Sequence, residues 1–191
     1  MVFDFPLFHI FSLAICSSGL WDCFHQRLPP HLLRGGQFQF LTNVSLMLTI
    51  AYIILSLSRI KSCTFYNAVT NLEFAVTVTY WMLFLIFPHL LNTKTLPPTF
   101  QLDFKIHLWP YLYLLVLKER SNIRGVTLTG VILLIYSLYV ELIVATDSTH
   151  ASKFAYPFLN KYSFSGRVLW MLAIWAISST NYLILKYIKK I

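Results

Sequence analysis

The chain has 191 residues, of which 57% are hydrophobic and only 12% are charged. A soluble domain carries roughly a quarter charged residues, so this chain cannot clothe a water-facing surface, and its excess apolar surface must face lipid. The net charge of +8 does not signal nucleic acid, because the fifteen Lys and Arg residues are scattered through short connectors and the C-terminus, with no basic amphipathic face and no nucleic-acid motif.

A membrane-crossing helix needs about 20 mostly apolar residues. Six segments qualify or nearly do, which predicts an all-α integral membrane protein, a bundle of about six transmembrane helices forming one polytopic domain over residues 1–191. The first segment, 5–25, is preceded by no Lys or Arg, only by Asp4, so it reads as a span and not as a secretory signal. Leu28-Pro29-Pro30 and Arg34-Gly35-Gly36 then break the chain before the second segment, 38–58. There Thr42, Ser45, Thr49, Tyr52 and Ser56 recur at helical spacing and share one face. The third segment, 68–90, repeats the pattern with Thr70, Glu73, Thr77 and Tyr80. Leu96-Pro97-Pro98 precede the fourth, 102–118, the least apolar at its start, where Asp103, His107 and Tyr111 stack on one face. After Ser121-Asn122 and Arg124-Gly125 comes the fifth, 125–146, with Glu141 alone among apolar residues. The sixth, 167–187, carries Ser178, Ser179, Asn181 and Tyr182. Polar groups are costly against lipid, so these faces should turn inward around a polar interior. Trp21, Tyr66, Trp109, Tyr156, Tyr162 and Trp170 fall near segment ends, as an interfacial belt requires.

Orientation follows from the bases. With six spans, Arg59, Lys61, Lys118, Arg120, Arg124, Lys186, Lys189 and Lys190 lie on the side of the termini. Arg27, Arg34, Lys94, Lys153, Lys161 and Arg167 lie on the other, with Lys105 inside the fourth span. The excess predicts both termini in the cytosol, with the bases as topology signals and contacts to anionic lipid. The tail, Lys186 then Lys189-Lys190-Ile191, loosely resembles a dilysine retrieval signal whose pair is one place too near the end. With the polar-rich spans it points to the endoplasmic reticulum membrane.

Several chemistries lose support. Cys16, Cys23 and Cys63 form no CxxC, and they read as small packing residues. Histidine boxes of di-iron enzymes, HExxH, GxSxG and the P-loop are all missing, so no metal or cofactor is expected. His9, His25, His31, His89 and His150 have no ligand spacing. Asn43-Val44-Ser45 fits the glycosylation sequon, but it lies inside a span.

What remains is an acid–base pair. Thr42 and His107 each sit about a turn inside the start of a span, and both spans begin on the same side, so the two residues are expected at matching depth. A threonine hydroxyl needs a base to become a nucleophile, and a neutral histidine within hydrogen-bond reach can accept its proton. Asp103, one turn before His107, would orient the imidazole, and Pro110 would bend the helix beyond it. Taken singly, either residue also reads as a packing group bonded to a backbone carbonyl.

Gly35-Gly36-Gln37-Phe38-Gln39-Phe40-Leu41-Thr42 resembles the glycine pair followed by Lys-Phe-Leu-Thr of the androgen-induced protein family, with Gln39 in the place of the lysine. Asp103 to His107 with Pro110, and Tyr156-Pro157-Phe158-Leu159, resemble two further segments of that family; Phe104 stands where some members carry a second histidine. The resemblance runs from about Gly35 to the end. It implies six spans and hydrolysis of fatty acid esters of hydroxy fatty acids within the bilayer, with Thr42 and His107 as the catalytic pair and membrane lipid as the setting. Two other classes stay open: a small transporter or channel whose path Glu73, Glu141, Asp103 and His107 line, and a non-catalytic membrane scaffold.

Overall fold

The computed structural model describes residues 6–91, 99–148 and 151–189. Asp4, Lys94, the Leu96-Pro97-Pro98 break, His150 and the tail residues Lys190 and Ile191 lie outside the described residues. Among the described residues the chain is helical, without strands. Its main elements are α1 (Pro6–His25), α2 (Leu41–Leu57), α3 (Cys63–Ile86), α4 (Phe100–Asp103), α5 (Trp109–Val116), α6 (Arg124–Ala145) and α7 (Phe164–Ile188). Helices α1, α3, α6 and α7 are each long and apolar enough to cross a membrane, while α2 is a shorter apolar helix of 17 residues. Helices α4 and α5 are two parts of one rod, joined by a π turn over Phe104–Leu108. Each of the six expected segments therefore holds a helix, and four of them reach crossing length.

Capping side chains set several boundaries away from the apolar runs. Ser62 accepts from the Phe65 N–H at 3.3 Å, so α3 begins at Cys63, earlier than its apolar run suggests. Ser163 does the same for Gly166 at the start of α7. The opposite shift occurs at α2. Gly36 takes φ +56, a left-handed conformation open to glycine at little cost, and residues Gly36–Gln39 wind as a 3₁₀ turn. The helix proper starts only at Leu41. A Cβ on Gly35 would meet the Gln39 side chain at 2.5 Å, so the glycine pair lets Gln39 fold back beneath the turn and donate to the Leu32 carbonyl at 2.9 Å.

Helix α3 is the central pillar. Half of its most apolar stretch is buried, against 22% for α6 and α7, and it packs on α2, α5, α6 and α7. Its close seam with α6 depends on Gly125, whose Cβ would lie 2.4 Å from that of Asn67. The outer faces of α6 and α7 expose Leu134, Ile135, Leu138, Leu142, Leu169 and Leu172, the surface that hydrocarbon would cover. The polar faces turn inward as expected: Ser45, Thr49, Thr70, Glu73, Thr77, Ser178 and Asn181 are buried. Asn181 donates to Asn71 at 2.9 Å and accepts from the Tyr111 hydroxyl at 2.9 Å.

The two ends of the bundle are tied differently. At the end shared by the starts of α1, α3 and α6, the Cys63 thiol donates to the Arg120 carbonyl at 2.9 Å and Asn122 donates to Thr64 at 3.0 Å. There Lys189 donates to the Leu117 carbonyl at 2.6 Å and to the Tyr66 hydroxyl, with its charge 4.7 Å from the Tyr66 ring centre. One lysine of the expected dilysine tail is thus engaged inside the fold. Burial lowers this amine to about 8 from its ordinary 10.5. The opposite end is held by ion pairs: Lys105 with Asp22 at 2.9 Å, Arg34 with Asp147 at 3.6 Å, and Arg167 with Glu141 at 2.5 Å.

Candidate active site

At that ion-paired end a cavity of about 200 Å³ opens between α2, α3, the α4–α5 rod, α7 and the connector before α7. Its walls are mostly apolar, with Val76, Leu83, Met171 and Ile174 among them, and Thr42, Asp103 and His107 all line it. The structure therefore brings the three residues singled out from the sequence to one space, by a route other than the expected one. Thr42 is the second residue of α2, not a full turn inside it, because the 3₁₀ turn delays the helix. His107 lies about two turns beyond Phe100, within the π turn. Equal depth from the helix starts is not what aligns them.

The π turn has a local cause. Pro110 has no N–H to offer the Ile106 carbonyl, so the regular ladder is interrupted. The Trp109 N–H reaches back to the Phe104 carbonyl, the wider bond of a π turn. Asp103 and His107 are both nearly fully buried. His107 Nδ1 lies 3.6 Å from Asp103 Oδ1 and has no closer hydrogen-bond partner. The imidazole lies flat on the Tyr80 ring, with centroids 3.4 Å apart and planes 6° apart, and the Tyr80 hydroxyl lies near the Asp103 carboxylate. Tyr80 thus fixes the ring plane of His107.

Thr42 is held from the other side. Asn43, next to it, donates to the Gln37 backbone and side-chain oxygens at 3.1 and 3.0 Å, and Gln37 donates to the Cys23 carbonyl. The Tyr136 hydroxyl donates to the Gln39 carbonyl at 2.6 Å. Tyr156, from the connector before α7, places its hydroxyl over the start of α2, where it accepts from the Leu41 N–H at 3.2 Å and meets the Thr42 side chain. Tyr80 was visible in the sequence only as a member of a polar face, and Tyr156 only as a belt aromatic in a short motif. No spacing rule connects Tyr156 to Leu41 across 115 residues.

The remaining acids fall elsewhere. Glu141 makes a two-pronged ion pair with Arg167, at 2.5 and 2.9 Å, and does not line this cavity. Glu73 is fully buried deeper in the bundle, accepting from Thr49 at 2.7 Å, and is also absent from the cavity wall. The four groups of the transporter reading do not share one space. His9 bonds the Tyr113 hydroxyl at 2.5 Å and His25 the Trp21 carbonyl at 2.9 Å, packing roles for both.

No curated protein and no solved structure matches the chain. A family model described as FAR-17a/AIG1-like protein matches residues 5–190. With a match over nearly its whole length, the chain belongs to this family, the androgen-induced one that its motifs resemble.

Proposed function

We propose that the protein is an intramembrane threonine hydrolase of lipid esters. The observation that supports this most is the convergence of Thr42, Asp103 and His107 on one apolar-walled cavity. A long acyl chain fits such walls, and the polar groups sit at one end of the bundle, where an ester carbonyl would lie. Thr42 attacks that carbon while the neutral imidazole of His107 takes the hydroxyl proton. The protonated imidazole then returns the proton to the departing alcohol as the ester C–O bond breaks, leaving the acyl group on Thr42. Water repeats the sequence and frees the acid. Asp103 holds the imidazole and offsets the charge it gains. The family match and its resemblance to hydrolases of hydroxy-fatty-acid esters point the same way. The same reading takes the chain as six spans in the endoplasmic reticulum membrane with cytosolic termini, in line with six helical segments and the distribution of bases. Labelling by a fluorophosphonate reagent tests it. Purified wild type should be labelled and Thr42→Ala should not; equal labelling of both would show that the reagent reacts elsewhere and would remove Thr42 as nucleophile.

A further inference from the structure

The attack described above creates a negative oxygen on the ester carbon, and a site that accelerates the step needs a hydrogen-bond donor aimed at it. Resting on the threonine-hydrolase reading, we propose that the Tyr156 hydroxyl is that donor.

Four observations meet at Tyr156. First, it lines the same cavity as Thr42 and His107. Second, its oxygen accepts the backbone N–H of Leu41 at 3.2 Å and lies within reach of the Thr42 side chain, so it stands next to the attacking oxygen. Third, a phenol has one hydrogen to donate, and the bond to Leu41, in which Tyr156 accepts, does not use it. A hydroxyl turns freely about its C–O bond, so this hydrogen can swing to an oxygen formed beside Thr42. Fourth, the N–H that it accepts is the first of α2, a 17-residue helix whose positive end draws electron density from the phenol oxygen and makes its hydrogen a better donor.

The residue is also held firmly. Its ring meets Phe40 edge-on at 6.4 Å and Phe158 at 6.1 Å. Its loop is pinned by Asn160, which accepts from the Phe154 N–H at 3.0 Å and donates to the Phe154 and Pro157 carbonyls at 3.3 Å. A donor fixed before the reaction costs no reorganisation during it. Tyr156 itself gives up no proton: as Thr42 bonds the carbon and the threonine proton goes to His107, the carbonyl electron pair moves to oxygen, and Tyr156 donates a hydrogen bond to that oxygen until the C–O bond breaks.

The test uses the full chain in detergent, with a long-chain p-nitrophenyl ester, a trifluoromethyl ketone of the same acyl length, and the corresponding unreactive ether. Tyr156→Phe keeps the ring packing and removes the donor. It should lower kcat by about 10²- to 10³-fold, the usual cost of one such donor, with KM nearly unchanged. Affinity for the ketone, which forms a tetrahedral adduct with an oxyanion, should fall in parallel, while affinity for the ether holds. If wild type is active, Thr42→Ala inactive and Tyr156→Phe fully active, the role of Tyr156 is overturned and the hydrolase reading stands. If Thr42→Ala is as active as wild type, the hydrolase reading itself falls. Should Tyr156→Phe not fold, trifluorotyrosine at 156 replaces it: kcat then has to change with the acidity of the phenol, and an unchanged rate overturns the proposal.

Discussion

His107 is held by two neighbours of different chemistry: a carboxylate 3.6 Å from its Nδ1 and a tyrosine ring stacked on its face. Asp103→Asn keeps a hydrogen-bonding group and should lower kcat by roughly ten-fold, short of the ~10²-fold that a misplaced group can cost. Tyr80→Phe keeps the stack and loses only the hydroxyl near Asp103, so its effect should be no larger. Tyr80→Ala loses both and should exceed either; steady-state hydrolysis by the three variants ranks them. A base role also fixes the sign of the pH response. Only unprotonated imidazole accepts the threonine proton, so kcat/KM must fall toward acid through the titration of His107. A profile flat down to pH 4 would remove the imidazole from the step. That Thr42, His107 and Asp103 would face one space was legible in the sequence, because a helical period and a short motif carry them. Tyr80's stacking was not, because the 3.6-residue period says which residues share a helix face, not what lies on it.

The rod carrying His107 departs from a regular helix where Pro110 removes a backbone donor. Pro110→Ala restores an N–H to the Ile106 carbonyl and should tighten the π turn, rotating His107 off Tyr80. The protein should fold with unchanged helix content while hydrolysis falls by up to about 10²-fold; full activity would show that the π turn is not needed to place the imidazole. The sequence placed a bend here but not its form, since proline marks a missing bond without saying which neighbour takes it up. Boundaries were missed for similar reasons: Ser62, Ser163 and Gly36 move helix starts by capping and turn geometry, which a hydropathy pattern does not record. At the far end Lys189 joins α7 to the end of α5. Its folded value of about 8 lies below its ordinary 10.5, so between those values the unfolded chain holds more protons and stability rises with pH. Lys189→Met should abolish that part of the rise. Thermal unfolding in detergent from pH 7.5 to 10.5 reads it, and identical slopes for both proteins would contradict it.

Across the whole molecule, the exposed and unpaired bases lean toward one end. Around the cavity end Lys105, Arg34 and Arg167 are paired with Asp22, Asp147 and Glu141, and Arg27, Lys153 and Lys161 are exposed without an ion-pair partner among the described residues. At the opposite end Arg59, Lys118, Arg120, Arg124 and Lys186 are exposed, and none has an ion-pair partner among the described residues. Exposed, unpaired bases are what the cytosolic leaflet retains, so tags at both termini should be cleaved by protease added to intact microsomes. Protection of either tag would invert or break this arrangement. In the proposed orientation the cavity would face the lumenal half of the bilayer. The all-helical architecture was legible in hydropathy because lipid-facing surface demands it. The cavity was not, because residues from all six helical segments and from the connectors between them line it, and only packing brings them together. The most direct test of the account is hydrolysis of a long-chain hydroxy-fatty-acid ester by detergent-purified wild type, Thr42→Ala, Thr42→Ser, His107→Ala and the double alanine variant. Each alanine change should abolish turnover in a folded protein, the serine change should retain part of it, and the double variant should be little worse than either single one, as groups acting as a unit are non-additive. Wild-type turnover by Thr42→Ala would make the threonine a packing residue and contradict the account.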